Sequence, residues 1–246
     1  MTEADLRRDL AACYRIFDHL GWTELIYNHI TVKVPNSNGG PEAHFLINPF
    51  GLMYREVTAS NLVKVDLEGR IIGESPYPVN PAGFVTHAAI HEALPQAACV
   101  MHVHTTAGMA VACKEDGLAM TNFYAAMLYN QVGYHAFEGI TVNPDEKRRL
   151  VASLGPHRYL ILRNHGLLTW GESIPEAFAR MWTLNRACEI QLASGAIAGA
   201  DIEVPRSVCE QASRQALQFQ PKYGAGADVF EALRRMIDAK DPGYRA

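Results

Sequence analysis

The chain has 246 residues, 48% of them hydrophobic and 20% charged, with a formal net charge of −4. That balance is ordinary for a soluble globular chain with a sizeable core. It argues against nucleic-acid and membrane-surface partners, which recruit basic patches. The apolar runs are too short to span a bilayer, and the charges at Glu3, Arg7, Arg8 and Asp9 are unlike a secretory signal.

In chain order, Leu6, Leu10, Cys13, Ile16, Phe17 and Leu20 recur at three- and four-residue spacings, which predicts an amphipathic helix over Thr2–Leu20. Thr2 can cap it and Gly21 can end it. Ile30–Val34 alternates as a strand, Pro35–Pro41 is a turn, and His44–Asn48 closes a hairpin. Pro49-Phe50-Gly51 makes a tight turn and Thr58–Leu62 a short helical one. Leu62–Val65 and Arg70–Ile72 form a second hairpin.

Prolines 76, 78 and 81 lead into a helix over Ala82–Leu94, ended by Pro95. The apolar strand Cys99–His104 follows, then a helix over Thr105–Lys114. Asn122–Tyr129 fits helix or strand equally. Pro144 opens a helix to Leu154, Tyr159–Leu162 is a buried strand, Asn164-His165-Gly166 a turn, and Leu167–Trp170 another strand. Helices over Ile174–Ser194, Arg206–Gln220 and Asp228–Ala239 complete the chain. The pattern predicts one α/β domain over residues 1–246, with a mixed, mainly antiparallel sheet flanked by helices and C-terminal helices from about residue 206. Five widely spaced cysteines without a CxxC pair read as reduced thiols, which suits a cytoplasmic protein.

Ten histidines are the compositional oddity. On a strand, residues i and i+2 share a face, so His102 and His104 can grip one ion or simply pack together. His165 stands at the end of an apolar strand beside Gly166, which leaves room for an ion or a substrate. Three imidazoles would make an open site that keeps the ion's full charge and draws carboxylate, enediolate or phosphate oxygens. Zinc, iron, manganese and cobalt all suit imidazole. His87 and His91 share a helix face and form a weaker pair. His19, His29, His44, His135 and His157 read as surface or core residues.

These residues add up to a known pattern. Asn28-His29-Ile30-Thr31, Phe45–Gly51, Thr58-Ala59-Ser60, Asn80–Phe84, His87, His102-Val103-His104 and Arg163–Leu167 resemble the landmarks of the class II aldolase/adducin family. The resemblance runs to about residue 195. It implies a central sheet flanked by helices, commonly in a cyclic tetramer with sites between subunits. It also implies that His102, His104 and His165 hold one divalent metal per subunit, zinc first among the candidates, and that Asn28, Asn48, Gly51 and Gly83 stand in the loops that meet the substrate. Tyr124 lies near the position of a tyrosine that acts from the neighbouring subunit. Tyr124 and His87 are the candidate proton carriers.

The departures matter as much. Family aldolases carry an acid/base glutamate four residues before the position of His87, where this chain has Gly83. Their phosphate loops are matched here by Tyr27-Asn28, Phe50-Gly51 and Pro81-Ala82, which offer bulk and few donors. The expected function is therefore a metal-dependent carbon–carbon lyase, a decarboxylase or aldolase, on a small non-phosphorylated carboxylate or hydroxy-carbonyl compound. Alternatives are a three-histidine iron oxygenase and a non-enzymatic, adducin-like oligomeric binding module. The glycine at position 83 brings the chain closest to the adducin head.

Overall fold

Helix α1 (Glu3–Leu20) starts where Thr2 accepts a hydrogen bond from the Asp5 amide while the Asp5 carboxylate bonds back to Thr2. It stops at Gly21, in the left-handed conformation that closes helices cheaply. The computed structural model describes residues 1–35, 43–139, 145–218 and 226–246. Most of the turn predicted over Pro35–Pro41, as well as Pro144 and residues 219–220, falls outside the described residues.

The remaining elements are β1 (His29–Val34), β2 (His44–Ile47), β3 (Val63–Val65), α2 (Pro81–Ala93), β4 (Cys99–Val103), α3 (Thr106–Ala112), α4 (Phe123–Met127), β5 (Val132–His135), α5 (Glu146–Leu154), β6 (Tyr159–Leu162), β7 (Gly166–Gly171), α6 (Ile174–Gly195), α7 (Arg206–Gln218) and α8 (Ala227–Lys240). The strands form one seven-stranded sheet in the order β3-β2-β1-β4-β7-β6-β5. Only the β5–β6 pair is parallel among the described residues, so the sheet is mixed and mainly antiparallel, as the sequence pattern predicts.

One expectation needs correcting, and one strand was not expected. The 3₁₀ helix sits at Tyr54–Glu56, whereas Thr58–Leu62 is a non-helical turn in which Asn61 and Thr58 bond each other's backbone amides. Strand β5 has no counterpart in the sequence reading. Its core contains Gly133, so it has no alternating apolar signal, and its pairing with β6 creates it. Asn122–Tyr129 resolves as helix α4, because the Asn122 side chain caps the Ala125 amide.

Alternation along β4 divides the core. Cys99, Met101 and Val103 pack with α1 and α6 residues such as Phe17 and Phe178. Val100 packs on the opposite face with Ala89 and Ile90 of α2 and Leu150 and Leu154 of α5. His102 shares the parity of Val100 and so lies on the α2 face of the sheet. Burial of these apolar side chains, at about 25 cal/mol per Å² of area removed from water, is what fixes that orientation.

Candidate metal centre

Three imidazoles converge at one end of β4. His102 is the penultimate residue of the strand, His104 lies just beyond it, and His165 sits in the turn from β6 to β7. One ligand nitrogen from each lies within 4.8 Å of the others. The Nε2 atoms of His102 and His104 are 2.7 Å apart, and the His165 ring centroid is 4.8 Å from each of the other two.

Local structure explains the convergence. β4 and β7 are antiparallel neighbours, and the β6–β7 reversal passes through Asn164 at φ +56, a left-handed conformation that asparagine tolerates. The Asn164 amide is tied to the Ala112 carbonyl and the His165 amide to the Leu162 carbonyl, each at 3.0 Å. Gly166 then has to be glycine. A Cβ there would stand 2.4 Å from the Val103 carbonyl oxygen, 3.0 Å from the His104 ring and 3.2 Å from the His102 ring.

The tautomer of His102 is fixed by its surroundings. Nδ1–H donates to the Leu167 carbonyl at 2.9 Å, which leaves the Nε2 lone pair facing the cluster. Burial, reinforced by the neighbouring imidazoles, holds the His102 pKa well below its usual value; burial first, then His165, pushes His104 down to about 4. His165 is lowered in the same direction, mainly by burial. All three are neutral near pH 7, the state in which imidazole binds metal. The donor set therefore fits a divalent ion: three neutral nitrogens, one of them oriented by a carbonyl, with the remaining positions open to the cavity.

That cavity measures about 370 Å³ and is walled by the three histidines together with Tyr27, His29, Asn80, Gly83, Thr86, Met109, Phe137 and Asn164. No carboxylate stands among these described residues.

The other candidates are placed as follows. Gly83, on α2, lines the cavity. Gly51 lies in its turn at φ +101. Asn28 and Asn48 are buried: Asn28 donates to the Trp22 carbonyl, and Asn48 Oδ1 faces the Tyr14 hydroxyl and His29 Nδ1. Tyr124 packs edge-on against Phe123 and Trp182. His87 is fully buried. His91 donates from Nδ1 to the Ala97 carbonyl and accepts at Nε2 from Thr31, whose oxygen in turn accepts from His87 Nδ1, each at 2.8 Å.

The sequence reading missed His29 as a cavity residue. The available signal was its i, i+2 spacing with Thr31, but that spacing acquires meaning only once β1 is paired with β4 so that His29 faces His102.

A mixed sheet that carries three neutral imidazoles at the rim of an open cavity defines an α/β fold with a candidate site for one divalent ion. The chain belongs to the Class II Aldolase and Adducin N-terminal domain family, whose family model matches residues 8–192. It is 44% identical over 99% of its length to a Pseudomonas aeruginosa protein whose name places it in aldolase class 2, covering 93% of that protein. It is 45% identical to rat alpha-adducin over 98% of its own length but spans only 34% of adducin's. Among solved structures, an aldolase II superfamily protein from Pseudomonas syringae superposes with a TM-score of 0.92 at 39% identity, covering 100% of this chain and 96% of that one. An L-fuculose 1-phosphate aldolase from Glaciozyma antarctica superposes with a TM-score of 0.82 at 30% identity, covering 97% and 90%. No helix among the described residues is long and apolar enough to cross a membrane.

Proposed function

We propose that the protein is a metal-dependent carbon–carbon lyase, of decarboxylase or aldolase type, acting on a small non-phosphorylated carboxylate or hydroxy-carbonyl compound. The observation that carries this reading is the neutral wall of the cavity. His102, His104 and His165 would hold one divalent ion, with zinc first and manganese, iron or cobalt as alternatives, and no carboxylate among the described lining residues offsets its charge. Such an ion, when bound, supplies Lewis-acid stabilisation of the negative charge that develops as a carbon–carbon bond breaks.

The chain's own groups orient the anion and shape the space around it. The Leu167 carbonyl keeps His102 in one tautomer, and Tyr27, Met109 and Phe137 give the cavity an apolar side that suits the hydrocarbon part of a carboxylate. Glycine at position 83 offers no proton-transferring group, which favours decarboxylation, a reaction that needs no base to begin. Tyr124, acting across a subunit boundary in a family-like tetramer, is the proposed donor of the final proton, with His87 as the alternative.

The test is to strip the protein of metal, reload it with zinc, manganese or iron, and assay a panel of β-keto and ortho-hydroxy carboxylates for carbon dioxide release. Turnover that needs metal and is lost in His102→Ala supports the lyase. Oxygen uptake with iron would point instead to an oxygenase on the same fold.

The similarity to alpha-adducin favours a second reading, a non-enzymatic oligomeric binding module in the cytoplasm. It predicts that no metal co-purifies and that His102→Ala and His104→Ala leave partner binding intact.

A further inference from the structure

The space beside Gly83 is not empty. A Cβ built on Gly83 would fall 1.9 Å from His29 Cδ2 and 2.0 Å from His29 Nε2. The imidazole of His29 therefore occupies the room that any side chain at position 83 would need. His29 stands directly opposite His102 in the β1–β4 register and so shares its face of the sheet. It lines the same cavity as the three-histidine cluster.

Its hydrogen bonds fix which nitrogen is available. Nδ1 lies 3.3 Å from Asn48 Oδ1, and that oxygen is also met by the Tyr14 hydroxyl at 3.0 Å. An Nδ1–H donated to Asn48 leaves the lone pair on Nε2. The Asn80 side-chain amide, itself part of the cavity wall, donates to that lone pair at 3.3 Å. This contact is long for an N–H···N bond, and a donor on a bound molecule can take it over.

We propose that His29, rather than residue 83, supplies the second polar contact to a substrate held at the three-histidine cluster: its Nε2 accepts a hydrogen bond from a hydroxyl or N–H group next to the substrate's chelating oxygens. This rests on the metal-site reading given above. It deepens that reading by naming the substrate class, chelating oxyanions that carry an adjacent hydrogen-bond donor. A neutral acceptor here takes the place of a charged one, and no carboxylate is among the described cavity residues.

The test uses the full-length, zinc-loaded protein and two probes. Acetohydroxamate chelates through two oxygens and keeps an N–H, whereas N-methylacetohydroxamate chelates identically without it. Calorimetric titration should show the wild type preferring the N–H compound by about five- to tenfold, the worth of one hydrogen bond. His29→Phe, which fills the space but has no acceptor, should bind zinc at the wild-type ratio and show no preference. Independently of metal, Gly83→Ala should lower Tm by roughly 5–10 °C when His29 is present. In a His29→Ala background the same substitution should cost less than about 2 °C, because the clashing ring is gone.

A preference for the N–H compound that survives His29→Phe, its absence in the zinc-bound wild type, or an equal cost of Gly83→Ala in both backgrounds would each overturn the proposal. A wild type that takes up no zinc instead overturns the metal reading, and the substrate role of His29 falls with it. The thermal pair would still report whether the ring and residue 83 compete for one space.

Discussion

The carbonyl oxygen of Leu167 receives Nδ1–H of His102 at 2.9 Å, across the β4–β7 pair in which His102 and Leu168 face each other. One backbone atom of a neighbouring strand thus decides which nitrogen of the buried imidazole meets the cluster. Metal affinity is expected to depend on sheet pairing as much as on the three side chains themselves.

Substituting any one of His102, His104 or His165 by alanine should reduce bound divalent metal from about one ion per chain to a small fraction. Elemental analysis of protein dialysed against zinc checks this. Because an ion that binds only the folded state stabilises it by about 4 kcal/mol at a thousand times its Kd, the zinc-induced rise in Tm should also vanish in each variant. A variant that keeps its metal would remove that histidine from the ligand set.

Gly166→Ala should be costly for a reason unrelated to backbone freedom. The new methyl would press on the Val103 carbonyl and on the rings of His102 and His104. A loss of about 2–3 kcal/mol in urea unfolding is expected, together with weakened zinc binding. Wild-type stability in this variant would mean that the strands separate more easily than their spacing suggests.

Tyr14 is a second support of the cavity wall. Its hydroxyl accepts the Ile30 and Asn48 amides at 2.9 and 3.2 Å and donates its one proton to the Ile30 carbonyl at 2.6 Å, with Asn48 Oδ1 3.0 Å away. Tyr14→Phe preserves the packing but leaves two buried amides without this acceptor. Denaturant unfolding should show a loss of about 2–3 kcal/mol. A loss below about 0.5 kcal/mol would show that water or a backbone shift replaces the hydroxyl.

Stability should fall with acid well before the carboxylates titrate. Burial holds His29 and His91 neutral, with pKa values pushed down to about 4 and about 3. In the unfolded chain each would titrate near 6.5, so below that pH the unfolded state binds protons that the folded state refuses. The stabilisation is complete above about pH 6.5 and is lost as the pH falls from there towards 4, by roughly 3 kcal/mol for each histidine. For metal-stripped protein, the urea midpoint should drop by about 1 M between pH 7.5 and pH 5. His91→Asn should remove only part of that slope, because burial also holds His29, His102, His104 and His165 neutral. A midpoint unchanged across this range would contradict the neutral, buried state of these rings.

Periodicity and capping residues made most elements legible. Thr2, Asp5 and Gly21 bracket α1 because their preferences are local and need no partner. The i, i+2 spacing of His102 and His104 announced a shared face for the same reason. Strand β5 was not legible, since a four-residue segment with an internal glycine becomes a strand only when β6 lies beside it. The shared helix face of His87 and His91 gave no sign that Thr31 ties both rings into one buried chain of hydrogen bonds. That link joins residues 56 and 60 positions apart.

The sequence by itself determined the α/β class, the family and the shared face of His102 and His104, because each depends on residue type and order along the chain; His165 joined them as a candidate ligand through the family resemblance. Tertiary structure alone decided how the cavity is furnished. The β1–β4 register brings His29 opposite His102, and α2 crosses that face closely enough that a side chain at its residue 83 would collide with the His29 ring. A missing glutamate reads in the sequence as a subtraction. In the folded protein it is an exchange, because two atoms cannot share one volume and the imidazole of His29 already fills it.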